Sequence, residues 1–487
     1  RKKHYSYRTN YTSFKKKSRD VNSFLRLRTI LRRTEAIYHK SDCGCNSCKS
    51  LLLEAVEAID VEGWVKVMER LAKEVYEGKT DAKIIDEGYI LSTYKELNVA
   101  AEKGYAKDWI KVNKSTGNVA PEVIELQKNI YKFSGAKSAV VLEQINQILQ
   151  KQLPWNQFKN EVLKLNPLYN KNYLQAEWQT ANQSAKHARD WLYYNENTKL
   201  YPNLAYRTQG DERVRDAHSL LNGVVAPINS DFWKTHYPPN GWRCRCYVVQ
   251  TAETPTLEDK IPKLNDKDFP EEFRINVGIT GQIFSEENLK DSKAHPYFAL
   301  TRNKDWQKAF ELSKLSAPAN LVYTAKNGAT VTVSPFADEK DYKNNISDAK
   351  IVADSINVST EIRAHLEGHK NPEYKTDGIF GDRVEPKTNN VKRGISNAFD
   401  DKLKEGKQLR DLDNTFLYIN ISNYELSNIN LDAMINQSWS KFKHYKENIK
   451  FIIIIHNNNA IRLDSTLIDK GYNNYRSEFF KIRKGKK

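Results

Sequence analysis

Cysteine is scarce. The 487 residues hold five cysteines, grouped as Cys43, Cys45, Cys48 and Cys244, Cys246. Five thiols in two short clusters cannot build a disulfide framework, and a reducing compartment fits them. Long apolar runs are also lacking. Mean hydropathy is −0.72, and no stretch approaches the ~20 apolar residues of a membrane-crossing helix. No signal peptide is visible, and the chain starts at Arg1 without a Met, so an upstream segment is expected. Acid is in deficit, with 61 Asp and Glu against 77 Lys and Arg, a net charge of +16. At this length one core is too few, and two to four domains are expected. The 26 Tyr and 9 Trp, with much Lys and Asn, fit nucleic-acid contact and fit an AT-rich genome equally well.

Residues 1–40 carry 13 Lys or Arg against Asp20 and Glu35. Such an arm is either solvated or laid on packaged DNA, where clustered cations release counterions from phosphates. Cys43-Gly-Cys45-Asn-Ser-Cys48 follows. It is either a thiolate metal cluster, with His39 as a fourth ligand, or a cysteine-containing loop. Over 41–165 the apolar residues recur at i, i+3, i+4 and i+7, as in LLLEAVEAIDVEGWVKVMERLAKEVYEG. That predicts a helical lobe whose stripes are core. Tyr173 to Asn195 reads as one long helix.

The central stretch has neither helical nor strand periodicity. Tyr206 to Val249 combines the charged run Gly210-Asp-Glu-Arg-Val-Arg215, His218, Leu221-Asn222-Gly223, Phe232-Trp233 and YPPNGWRCRC ending at Cys246. Gly, Pro and Asn at this density predict a compact unit built from turns. This ordered set resembles the Mu F-like phage head morphogenesis family, and the likeness extends upstream through Asn170 to Asn195. The resemblance implies a minor, portal-proximal head component, with the portal and other head proteins as partners and the virion head or neck as location. Family members often carry a variable C-terminal effector. The Mu F-like core is placed at 166–252.

Two readings stay open for its cysteines. His218, Cys244 and Cys246 suit Zn²⁺, with Asp211 or His236 as fourth ligand. Alternatively the thiols pack under Trp233 and Trp242 while Arg213, Arg215, Arg243 and Arg245 pair with acids. Either way the stretch lacks a nucleophile–base pair and reads as architecture.

Pro255, Pro262 and Pro270 mark 253–320 as an extended, surface-hugging connection. From 321 to 487 the pattern changes. Hairpins are predicted at Asn327-Gly328 and Asp377-Gly378, helices over 337–356, 391–404 and 430–446, and strands at VSTEIRAHLE, TFLYINIS and IKFIIIIHN. No βαβ regularity is evident. The expected fold is multi-domain: an α-helical N-terminal lobe, a turn-rich Mu F-like α+β core, then a separate α+β domain of the RNase type.

His365, Gly368, Lys370-Asn-Pro-Glu-Tyr374, Gly378, Asp382-Arg383 and Pro386-Lys387 resemble the C-terminal tRNase domains of contact-dependent inhibition toxins, grouped with the barnase and colicin nuclease folds. The resemblance implies a ribonuclease toxin acting on tRNA, allows an immunity protein as a partner, and suggests delivery into a bacterial cytoplasm. The residues themselves allow that chemistry without metal. RNA cleavage needs a base at the 2′-hydroxyl, an acid at the leaving oxygen and cations for the developing charge. His365, His369, Lys370, Asp382, Arg383 and Lys387 lie close in sequence and are the candidate set, with no cofactor required. His456, ending IIIIH, is a runner-up. The bland alternative is a solvated lysine-rich hairpin in a structural head protein that binds nucleic acid without cutting it.

Overall fold

The computed structural model describes residues 27–34, 59–79, 84–106, 109–110, 119–212, 214–264, 269–288 and 292–483. Most of the basic arm, His39, Cys43, Cys45, Cys48 and Arg213 lie outside these residues.

The lobe is built from capped amphipathic helices. Asp60 caps Val61–Tyr76 by accepting from the Gly63 amide, and the helix buries Trp64, Met68, Leu71 and Val75 on one stripe. Asp86 caps Glu87–Tyr105 the same way at Tyr89, while its carboxylate is held 2.6 Å from Arg70. Pro121 opens the helix Pro121–Leu149, where a missing amide hydrogen costs nothing. Leu174–Glu196 crosses Glu87–Tyr105 closely, because Gly104 has no side chain: a Cβ there would sit 1.9 Å from the Asn182 carbonyl oxygen. Between Pro121–Leu149 and Leu174–Glu196 a lysine and a glutamate are wholly buried together. Lys137 Nζ lies 2.6 Å from Glu177 and donates to the Tyr169 carbonyl at 2.8 Å. Burial holds the Lys137 pKa below its ordinary value, with the Glu177 charge opposing.

The central unit has three strands. β1 (Asn203–Arg207) pairs antiparallel with both β2 (Val225–Pro227) and β3 (Tyr247–Thr251). It is pinned to the long helix by Tyr194 Oη donating to Val248 O (2.9 Å) and Tyr237 Oη donating to His187 O (3.0 Å).

The connection after β3 is largely irregular, but its aromatic residues are sewn into the lobe. Phe284 stacks on Phe133 at 3.7 Å. Asn129 accepts from the amides of Ile283 and Phe284 and donates to Phe284 O. His295, Tyr297, Phe298 and Trp306 are buried.

The C-terminal part is an eight-stranded mixed sheet, ordered β11-β10-β9-β8-β7-β6-β5-β4. Its strands are β4 (Asn320–Thr324), β5 (Thr330–Val333), β6 (Thr360–Ile362), β7 (Tyr374–Thr376), β8 (Ile379–Val384), β9 (Thr415–Asn420), β10 (Ile449–His456) and β11 (Asn459–Asp464). The hairpins at Asn327-Gly328 and Asp377-Gly378 form as expected, with both glycines at positive φ. The reading without βαβ units is corrected. β5–β6, β8–β9 and β9–β10 are parallel pairs, each joined across a helix: Tyr342–Ile356, Val391–Leu403 and Asn428–His444. The regularity is hidden because β5, β6 and β8 are short and interrupted by polar residues.

Successive residues face opposite sides of the sheet. Phe416, Tyr418, Phe451 and Ile453 join one core with the Tyr342–Ile356 helix, and that core runs on into the helical lobe. Leu417, Ile419, Ile452 and Ile454 join a second core with the Val391–Leu403 and Asn428–His444 helices. Across the first core Gln127 and Asn320 exchange amide hydrogen bonds, 2.8 Å each way. No described helix is long and apolar enough to cross a membrane.

Candidate functional site

The central unit brings its predicted ligands together. His218, on the short helix Asp216–Leu221, places Nδ1 3.6 Å from Cys244 Sγ and 3.4 Å from Cys246 Sγ, and all three residues are buried. These three ligand atoms lie within 4.8 Å of one another. A tetrahedral zinc, with Zn–S ≈ 2.3 Å and Zn–N ≈ 2.1 Å, requires sulfur–nitrogen separations of about 3.6 Å. The spacing fits. The expected fourth ligands do not join. Asp211 is held bidentate by Arg245 at 2.7 Å, and His236 is stacked between Phe232 and Phe269. Part of the packing alternative also holds, since Arg245 pairs with Asp211, while Arg215 donates to the Trp242 carbonyl instead of an acid.

The two thiols share a proton unequally. Burial alone would raise the Cys244 pKa, but the Cys246 thiol donating to it and the adjacent His218 bring it well below the usual thiol value. Cys246 is pushed the other way, first by that hydrogen bond and then by burial. A thiolate beside an imidazole is a soft donor set suited to zinc. His187, close enough to Cys244 for their charges to interact, is kept neutral by burial, which lowers its pKa to about 4. The sequence reading missed His187, because it sits inside an ordinary-looking helix.

The C-terminal candidates do not converge. His365 follows β6 rather than ending it, is exposed, and lies 4.0 Å from Asp338. His369 and Lys387 are exposed. Lys370 donates to the Gly406 carbonyl. Asp382 is fully buried and paired with Lys402 at 2.9 Å. Arg383, its neighbour on β8, is paired with Asp348 and Glu385 at 2.6 and 2.7 Å. His456 Nε2 lies 3.2 Å from Tyr424 O, as a strand-capping histidine would. Asp382 and Arg383 are neighbours on β8, and alternation along the strand sends their side chains to opposite faces. His365 also lines a cleft of about 1590 Å³ between the lobe, the connection and the sheet. Its charged walls, including Lys128, Lys132, Arg302, Glu286 and Glu311, are mixed in sign.

The central unit is thus three short strands, buried aromatic residues and a Cys/His cluster set against the helical lobe. Residues 140–249 match the model of the family "Phage Mu protein F like protein". The chain is 36% identical over 88 residues to the "Putative capsid assembly protein F" of Escherichia phage Mu, covering 18% of this chain and 20% of that protein. It is 31% identical over 99 residues to the "Mu-like prophage FluMu F protein" of Haemophilus influenzae, covering 20% and 24%. The chain thus spans a quarter or less of these relatives' length. No solved structure matches. The middle of the chain is Mu F-like, and the family match ends before the eight-stranded sheet begins.

Proposed function

We propose that this protein is a minor head component of a phage particle, bound near the portal, with a ribonuclease as its C-terminal unit. The observation that carries the first half is the match of 140–249 to a family whose phage Mu relative is described as a capsid assembly protein. The portal and neighbouring head proteins are the proposed partners, and the basic arm is proposed to rest on packaged DNA. Zinc is proposed as a structural ion at His218, Cys244 and Cys246. It would tie the short helix that carries His218 to the segment that holds Cys244 and Cys246. Mass spectrometry of purified particles tests the placement: the chain should be present in low copy, and absence from particles rejects it.

The ribonuclease half rests on the toxin-like residues between His365 and Lys387. Transphosphorylation of tRNA without metal is the proposed reaction, and an immunity protein the proposed antagonist. Full-length protein incubated with total RNA in the presence of chelator should give fragments ending in 2′,3′-cyclic phosphate. A second reading has a specific observation behind it. The six candidate side chains do not meet, which favours a structural head protein whose last unit binds nucleic acid without cutting. Binding without cleavage would establish that reading.

A further inference from the structure

At the carboxyl end of β6 the chain loops back into β7 through Glu373, and three other elements face that residue. Asn345, from the second turn of Tyr342–Ile356, points Nδ2 at the Glu373 carboxylate, 3.3 Å away. Asp382 comes from β8, and Lys402 from Val391–Leu403. Asp341 precedes the Tyr342–Ile356 helix. Asp382 and Lys402 neutralise one another at 2.9 Å. Glu373 therefore sits half-buried beside a spent ion pair, with no ion pair of its own among the described residues. Asn345 is only 2% exposed, yet its Oδ1 meets no hydrogen-bond partner among the described residues. A buried amide oxygen left open costs stability, and here it leaves a free acceptor close to the Glu373 carboxylate for an incoming donor.

The location agrees. In sheets with parallel strands, ligands bind in the crevice outside the carboxyl ends of the strands. Here β6 ends at Ile362, and the Tyr342–Ile356 helix starts beside it.

We infer that Glu373, steered by Asn345 and flanked by Lys402, is the proton-transfer group of the C-terminal unit and acts on an RNA phosphodiester. This rests on the ribonuclease reading above. The Glu373 carboxylate takes the proton of the 2′-hydroxyl while O2′ bonds to phosphorus and the P–O5′ bond breaks. The O5′ leaving group takes a proton from water, and Glu373 returns its own to solvent. The products are a 2′,3′-cyclic phosphate and a 5′-hydroxyl, with no change of oxidation state. Electrostatics suit the role. Burial, then the Asp382 charge, raise the Glu373 pKa to about 7, Asp341 adds to this, and Lys402 and Asn345 oppose it. A base titrating near neutrality is efficient there.

The test uses the full-length chain, total RNA and a pH series across neutrality. Wild-type cleavage should rise through pH about 7 as Glu373 loses its proton. Glu373→Gln, nearly isosteric, should lose about 10²-fold or more of the rate. Asn345→Ala removes a contact that lowers the Glu373 pKa, so its rate profile should move to higher pH. Glu405→Gln, on the exposed surface of the same unit, should cut at the wild-type rate. Equal thermal midpoints for wild type and Glu373→Gln exclude unfolding as the cause, and the Asn345→Ala profile decides if they differ. Wild-type cleavage with Glu373→Gln unchanged, or with Asn345→Ala unshifted, overturns this inference and spares the nuclease. No cleavage by the wild type overturns both.

Discussion

Replacing Lys137 by Met tests the energetics of the lobe most directly. The lysine and Glu177 are both wholly buried, 2.6 Å apart, and Lys137 also satisfies the Tyr169 carbonyl. Removing the cation strands a carboxylate in the apolar interior and leaves one carbonyl without its donor. Breaking a buried pair on one side costs about 3–5 kcal/mol. Replacing both partners by apolar groups of similar size is often neutral or stabilising, because the desolvation of two charges disappears with them. Lys137→Met should therefore destabilise the lobe by about 3–5 kcal/mol, and Lys137→Met/Glu177→Leu should recover most of the loss. The assay is native-state hydrogen exchange in Pro121–Leu149 and Leu174–Glu196, which reads this lobe apart from the rest of the chain. At ~1.4 kcal/mol per factor of ten, exchange in the single variant should accelerate by roughly 10²-fold or more. A single variant within ~1 kcal/mol of wild type, or a double variant as unstable as the single, would refute the reasoning.

Elemental analysis should find about one zinc per chain at the His218–Cys244–Cys246 centre. Cys244→Ser/Cys246→Ser should lose metal and stability together, and a well-folded, metal-free wild type would leave packing as the role of these thiols. Acid should loosen the central unit. His187 has its pKa lowered from 6.5 to about 4 by burial, so its stabilisation is complete above pH 6.5 and is lost as pH falls towards 4. The loss is about 3 kcal/mol, to be read as a falling denaturation midpoint; a flat profile over that range counts against it. Gly104→Ala should destabilise the crossing with Leu174–Glu196 by about 1–3 kcal/mol, although alanine is the better helix former by ~1 kcal/mol, because the obstacle is backbone rather than a movable side chain. An increase in thermal midpoint would contradict this. Limited proteolysis should leave 300–320 protected, because one buried core joins the lobe to the sheet; a cut there that releases a stable C-terminal fragment would show two separable modules.

Local chemistry made part of this legible in advance. Asn327-Gly328 and Asp377-Gly378 predict turns because glycine tolerates positive φ, and both hairpins are there. The apolar run Phe451–Ile455 reads as a strand, which it is in β10, and both of its faces are covered. The Cys244–Cys246 centre was legible because two thiols and an imidazole in a turn-rich stretch have few other uses. Glu373 was hidden. It stood in the motif Lys370 to Tyr374 without being singled out, because its environment is assembled from Asn345, Asp382 and Lys402, which come near it only through strand pairing and helix packing. The Lys137–Glu177 pair was hidden for a similar reason, since a charge within a helical stripe ordinarily marks a solvated face.

The strap between β3 and β4 has a mechanical meaning. Phe284 against Phe133, the four hydrogen bonds of Asn129, and the buried Tyr297 and Trp306 act as a row of clasps along the lobe. A tug on the C-terminal sheet therefore loads these clasps before any slack chain can pay out. A nick in the exposed stretch around Leu257 would leave both pieces gripping one another. Even a cut beyond the last clasp would leave the sheet held by the core it shares with the lobe and by the Gln127–Asn320 bonds.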